Sequence, residues 1–319
     1  MTATRMSSEQ MTTRRTDETG SSAVVTSHVV APTGPSRNAV ARPVAATVLT
    51  VLGAVLLGFV ADVTFLGGLR HHHDQQLRFA SLRADLANAV APVSAVDDRG
   101  HIYGLGTPVA LLEIPRLGIR EVVGEGTTSG VLISGPGHRR DTVLPGQPGT
   151  SVLMGRRTAF GGPFGAIGQL VSGDAITVTT GQGKQVFVVT QLRPTGAVAA
   201  PTLAGGAARL TLVTATGSPL VPTGTMAVDA SLTSPVQAAP SSLVQAGNVT
   251  AAELPNHGDS SAWVRLVFWM QGLLVAAIAF TIARVRWGRW QAWISGIPLL
   301  VLLGVEAANQ AATLLPNLT

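Results

Sequence analysis

The stretch TMAVDASL, residues 225–232, puts Met226, Val228, Ala230 and Leu232 on one face of an extended chain and Thr225, Ala227, Asp229 and Ser231 on the other. A period of two is the mark of a strand with one face on a core. Outward from it, the same reading fits RLTLVT (209–214), KQVFVVTQL (184–192), AITVTT (175–180), TSVLM (150–154) and VALLEI (109–114), with Gly and Pro clusters between them. Short strands so spaced predict a small β-barrel or sandwich over residues 101–232. About 130 residues suffice for one core.

The flanks have a different character. Residues 1–42 are rich in Ser, Thr and Gly and carry Arg5, Arg14, Arg15, Arg37 and Arg42, which reads as a disordered basic tail. Residues 44–66 are apolar apart from Asp62, and at 1.5 Å per residue they reach about 34 Å, enough for a bilayer core. A transmembrane helix is therefore expected over residues 43–68. Two more are expected over 262–283 and 292–315, joined by a loop, 284–291, that holds Arg284, Arg286 and Arg289. Arginine in that loop and in the N-terminal tail places both in the cytoplasm, and the domain between them outside. Arg265 and Glu306 fall at similar depth on antiparallel helices and are expected to pair, with Asp62 within their reach, because intramembrane charges seek partners.

Between the spans, Leu77, Leu82, Leu86 and Val90 recur at helical spacing, so residues 69–100 are expected to form a juxtamembrane helix and linker that lifts the next domain off the membrane. His71, His72 and His73 read as a solvated turn, since adjacent helical histidines point apart. Residues 233–261, rich in Pro, Ser and Ala, are expected to be a flexible tether.

The chain has 319 residues and a net charge of +5, with 46% hydrophobic and only 12% charged residues, which fits a membrane protein and excludes a disordered or coiled-coil one. Arginine supplies nearly all the positive charge, Lys184 being the single lysine, and no basic face is interleaved with aromatics, so nucleic acid is not an expected partner. Cysteine is absent, which excludes disulfides, thiolate metal sites and cysteine nucleophiles. No cofactor and no metal site is expected.

The middle domain resembles the sortases, extracytoplasmic transpeptidases that attach surface proteins to the Gram-positive cell wall or join pilin subunits. The resemblance runs in order through LEIPRLGI (112–119), GPGH (135–138), LPGQPGT (144–150), PF (163–164) with GQLVSGD (168–174), and LTLVTA (210–215). It is nearest to the actinobacterial housekeeping-type classes. It implies a mainly β protein, with an eight-stranded sortase-like β-barrel outside the membrane, one N-terminal and two C-terminal transmembrane helices.

The family pattern has a histidine in a GHR motif, a cysteine at the end of the TLxTC strand and an arginine just before the last strand. In MGRRT (154–158) the histidine position is Arg156; in LTLVTA the cysteine position is Ala215; in GTMAV (224–228) the arginine position is Thr225. The resemblance thus implies a degenerate site, and a pseudoenzyme that binds a peptide or protein partner at the envelope. Arg156 and Arg157, side by side, would give the groove a fixed positive charge able to hold a carboxylate, or Arg156 would be a solvated replacement. A hydroxyl hydrolase using Thr214, Thr216 or Ser218 with His138 as base is one rival, and a structural subunit of a membrane complex another. The expected partners are the membrane, a surface protein or sorting-signal peptide, and a catalytically complete sortase.

Overall fold

The computed structural model describes residues 67–97, 99–218, 222–239, 244–286 and 289–319, with scattered positions between 46 and 58. The tail at 1–42 and nearly all of the span expected at 43–68, Asp62 included, lie outside the described residues.

Eight strands close into a barrel: β1 (Pro108–Ile114), β2 (Ile119–Glu125), β3 (Gly137–His138), β4 (Gly149–Met154), β5 (Ala175–Thr180), β6 (Gly183–Arg193), β7 (Ala208–Gly217) and β8 (Pro222–Leu232). Around the barrel the order is β1-β2-β3-β4-β7-β8-β6-β5. Leu112, Ile114, Phe187, Leu210, Leu212 and Val228 fill the interior and exclude water almost completely. Closure leaves the sheet without an edge on which another chain could pair.

The six strands read from alternation are all present. Two were not legible: β2 carries Arg120 and Glu121 within IREVVGE, and β3 is a two-residue step. The polar face of β8 is also not fully solvated. Asp229 is buried and accepts hydrogen bonds from Arg193 Nε (2.5 Å), Arg193 Nη2 (2.9 Å), Gln191 Nε2 (3.0 Å) and Thr211 Oγ1 (2.8 Å). A carboxylate removed from water needs such a set of donors.

Helix α1 (Gly67–Ala87) lies against β1 and β2. Of the expected apolar stripe only Leu82 is buried, while Leu77 and Val90 are exposed. Polar contacts do the docking. Gln75 Nε2 donates to the carbonyls of Ser134 (2.8 Å) and Val122 (3.1 Å), and its Oε1 accepts from the Val122 amide (2.6 Å). His71 is buried against Glu121 at 3.0 Å, and Arg120 lies over the Phe79 ring. A reading by apolar period misses a helix that packs through amides and charges.

A short helix, α2 (Ser129–Ile133), follows β2 and is capped by the Thr128 hydroxyl. Two long helices, α3 (Ala262–Arg286) and α4 (Arg289–Leu314), pack as a hairpin. Within them Ala262–Arg284 and Gly296–Leu314 are long and apolar enough to cross a membrane, with mean hydropathy of 2.1 and 1.4. A side chain at Gly296 would meet the Phe280 ring at 2.3 Å, so only glycine lets the two helices approach there. Arg265 does not reach Glu306; its guanidinium lies 3.8 Å from Asp259, just before the helix begins, and Glu306 has no ion pair among the described residues. An arginine near a helix end reaches outward more cheaply than across the hairpin.

The second half of the expected tether is fixed. Residues 251–253 form a 3-10 turn whose Glu253 is fully buried, with its carboxylate held by Arg140 and its carbonyl accepting from Thr127 Oγ1 at 2.7 Å. Composition alone could not show that one buried carboxylate pins this segment to the barrel.

Candidate functional site

Strand direction brings the positions singled out by the motifs to one end of the barrel. β4 and β7 are parallel, with Met154 opposite Val213, so both strands end at the same rim of the barrel. The Gly155 amide continues the ladder to the Val213 carbonyl at 3.0 Å, and Thr214 Oγ1 donates to the Gly155 carbonyl at 2.9 Å. Ala215 follows on β7. Since β8 runs antiparallel to β7, its beginning lies at that rim too, and Ala215 faces Thr225 in register. A side chain at Gly155 would meet the buried Phe164 ring at 2.5 Å, so glycine is required where the chain turns out of β4.

Arg156 is not a solvated residue at a mouth. Its side chain is fully buried: Nη2 donates to Ser129 Oγ (2.6 Å) and the Ser129 carbonyl (3.2 Å), and Nη1 to Thr319 Oγ1 (3.3 Å) and the Thr319 carbonyl (3.5 Å). Its guanidinium stands 5.1 Å from the centre of the Phe160 ring, a cation–π contact, and Nε has no partner among the described residues. No carboxylate is among these partners. Burial therefore pushes the guanidinium down to about 9, which still leaves it protonated at neutral pH. Arg157 is the outward member of the pair, and its Nη1 donates to the Gly217 carbonyl at 2.6 Å.

The hydroxyls and the histidine are engaged elsewhere. Thr214 spends its proton on Gly155, and Thr216 Oγ1 lies 3.3 Å from Thr195 Oγ1. Thr195 also ties down Thr225, accepting from its amide (2.7 Å) and donating to its carbonyl (2.8 Å). His138 is wholly buried, with Nδ1 at 2.9 Å from Glu125 Oε2 and Nε2 at 3.0 Å from the Val143 carbonyl. Both nitrogens donate, which requires the imidazolium. Burial opposes that charge, but the Glu125 carboxylate and these hydrogen bonds outweigh it and raise the histidine above its usual range. Neither nitrogen is free to accept a proton from a hydroxyl.

Residues 316–319 were not legible as part of the site. Asn317, Leu318 and Thr319 are buried, and Leu318 packs with Leu132, Met154 and Ala215. Two polar residues after an apolar span gave no signal that the chain folds back onto the barrel.

The family model described as Sortase domain matches residues 112–230. Among solved structures, sortase E from Streptomyces avermitilis is 30% identical over 41% of this chain and 91% of its own, with a TM-score of 0.36. A Clostridium perfringens Sortase D5 transpeptidase is 21% identical over 51% and 99%, with a TM-score of 0.42. Clostridium perfringens sortase C, solved with the C-terminal cell wall sorting motif, is 22% identical over 51% and 89%, with a TM-score of 0.39. No curated protein matches the chain. Residues 112–230 are therefore a sortase domain, and by that domain the chain belongs to the sortase family.

Proposed function

We propose that this chain is a membrane-anchored pseudoenzyme of the cell envelope, which binds an extended peptide or a partner protein at the old catalytic rim without transpeptidation. The observation that carries this reading is Ala215: it ends the LTLVTA strand where the family pattern has its cysteine, in a chain with no thiol anywhere. Alanine offers no nucleophile, and the neighbouring Arg156 is a buried cation that can neither accept a proton at neutral pH nor readily give one to a leaving amine. The engaged hydroxyls and histidine give no support to a hydrolase. A sorting-signal peptide, the class of ligand with which the Clostridium perfringens sortase C was solved, is the partner peptide this reading favours.

A fluorogenic sorting-signal peptide offered to the full chain in detergent should show no turnover above buffer. Ala215→Cys alone should add at most a slow, alkylatable thiol, and only Arg156→His, Ala215→Cys, Thr225→Arg together have a physical route to acyl transfer. Turnover by the wild type that Thr214→Ala abolishes would replace this reading with the hydrolase.

In the same reading the barrel lies outside the cell and the loop at 284–291 inside. The chain enters and leaves the α3–α4 hairpin beside the barrel, where the Asp259 amide donates to the Thr313 carbonyl at 3.0 Å, so Arg284 and Arg286, in the last turn of α3, lie at the hairpin's far end. Because the native chain has no thiol, single cysteines report cleanly. Lys184→Cys should be labelled by an impermeant maleimide in intact cells, whereas Ser21→Cys and Gly288→Cys should react only after lysis; labelling at 288 in intact cells would reverse the topology.

A further inference from the structure

After α4 the chain does not run into solvent. It threads Pro316, Asn317, Leu318 and Thr319 into the rim where β4, β7 and α2 meet. Main-chain recognition is present on both sides: the Arg157 amide donates to the Leu318 carbonyl at 3.0 Å, and the Asn317 amide donates to the His257 carbonyl at 2.9 Å. The Asn317 side-chain amide donates to the carbonyls of Thr127 (2.8 Å) and Leu254 (3.0 Å). Leu318 fills an apolar pocket made by Leu132, Met154 and Ala215, and Thr319 covers the Arg156 guanidinium. The segment is a turn, closed by the Thr319 amide donating to the Pro316 carbonyl at 3.2 Å, and it is held by main-chain hydrogen bonds, one seated aliphatic side chain and one polar side chain read by carbonyls, the kinds of contact by which proteins hold peptides.

We propose that residues 316–319 are a tethered peptide ligand that keeps this groove shut, so that a partner peptide binds only when the segment leaves. The proposal rests on the reading that the groove is a peptide site. It also specifies that site: it takes an aliphatic side chain against Ala215, preceded by an amide or similar polar side chain and followed by a hydroxyl residue near Arg156. Arg156 explains why the occupant matters. Without Thr319 over it, this buried guanidinium loses two of its four acceptors, a costly loss for a desolvated cation. A segment only a few residues from the end of α4 acts at an effective concentration of order millimolar, so a free peptide of micromolar affinity competes poorly with it.

The test uses the full chain in detergent with Ala215→Cys as the reporter of groove access. Alkylation by iodoacetamide should be slow with the segment in place. It should speed up at least tenfold when residues 316–319 are deleted, and to a lesser degree in Leu318→Ala, which keeps the backbone contacts. Val228→Cys, at a core position, should stay unreactive in every background, which separates groove opening from unfolding. A synthetic peptide of residues 312–319 should slow alkylation of the deletion variant, and should do so at least tenfold less effectively in the undeleted chain. Equal alkylation of Cys at 215 with and without residues 316–319 would overturn the tethered ligand. A large increase on deletion that the peptide does not reverse would keep the occlusion but overturn the peptide-binding reading on which the specificity rests.

Discussion

Asp229→Ala is expected to lower the melting temperature of the full chain in detergent by about 10–20 °C, from a loss of about 3–5 kcal/mol. The carboxylate is buried on β8 and is the common acceptor for Arg193, Gln191 and Thr211, which lie on the two strands that flank it. Deleting it strands three donors, one of them charged, at a junction that also carries a bulge between Val189 and Gln191. Burial alone would raise this carboxyl, but the hydrogen bonds from its three partners outweigh burial and hold it below its usual range. Because the folded value lies below the unfolded one of about 3.9, the contribution is present above that pH and is lost as pH falls through the folded value. Wild type should therefore lose stability in acid, and Asp229→Ala should lose much less of what remains. An acid profile unchanged by the substitution would assign the loss to another carboxylate.

The second large effect lies on the alkaline side. Glu125→Ala is expected to cost about 3–5 kcal/mol below neutral pH, because it leaves the His138 imidazolium buried without its counter-charge. The sign is opposite to that of Asp229. The folded histidine lies above its unfolded value of about 6.5, so the pair's contribution is complete below that pH and fades as pH rises through the folded value. Thermal melts of wild type and Glu125→Ala at a series of pH values from about 5 to 10 should converge at the alkaline end. A gap that stays constant would mean that His138 is neutral in the folded chain, with Glu125 acting only as a packed hydrogen-bond partner.

Much of the barrel could be read from alternation because its strands bury one face and solvate the other, which is the condition under which a period of two survives in sequence. β3 is too short to show any period, and β2 interrupts its apolar run with charges that serve α1. The positions at the rim were named by motif, yet their surroundings were not. Arg156 looks the same in sequence whether it meets water or Ser129, and no local pattern in LLPNLT reveals that Leu318 will pack on Ala215, more than a hundred residues away. His138 entered the sequence reading only as the base of a rival hydrolase; its imidazolium state follows only from the two acceptors that three-dimensional packing places against it.

The chain departs from the barrel at Asp259 and returns at Thr313, and these two residues are joined by a backbone hydrogen bond of 3.0 Å. Next to them, Gly258 lies so close to Leu314 that any side chain would strike its carbonyl, at 2.1 Å from the added carbon. In topological terms residues 260–312 are an insertion with touching ends, so a tight turn could join the same two points, at the loss of Ala312 from its packing on Ile133, Ala159 and Phe160. Such a splice would take both long apolar helices out of the chain while residues 316–319 still followed on directly from Thr313.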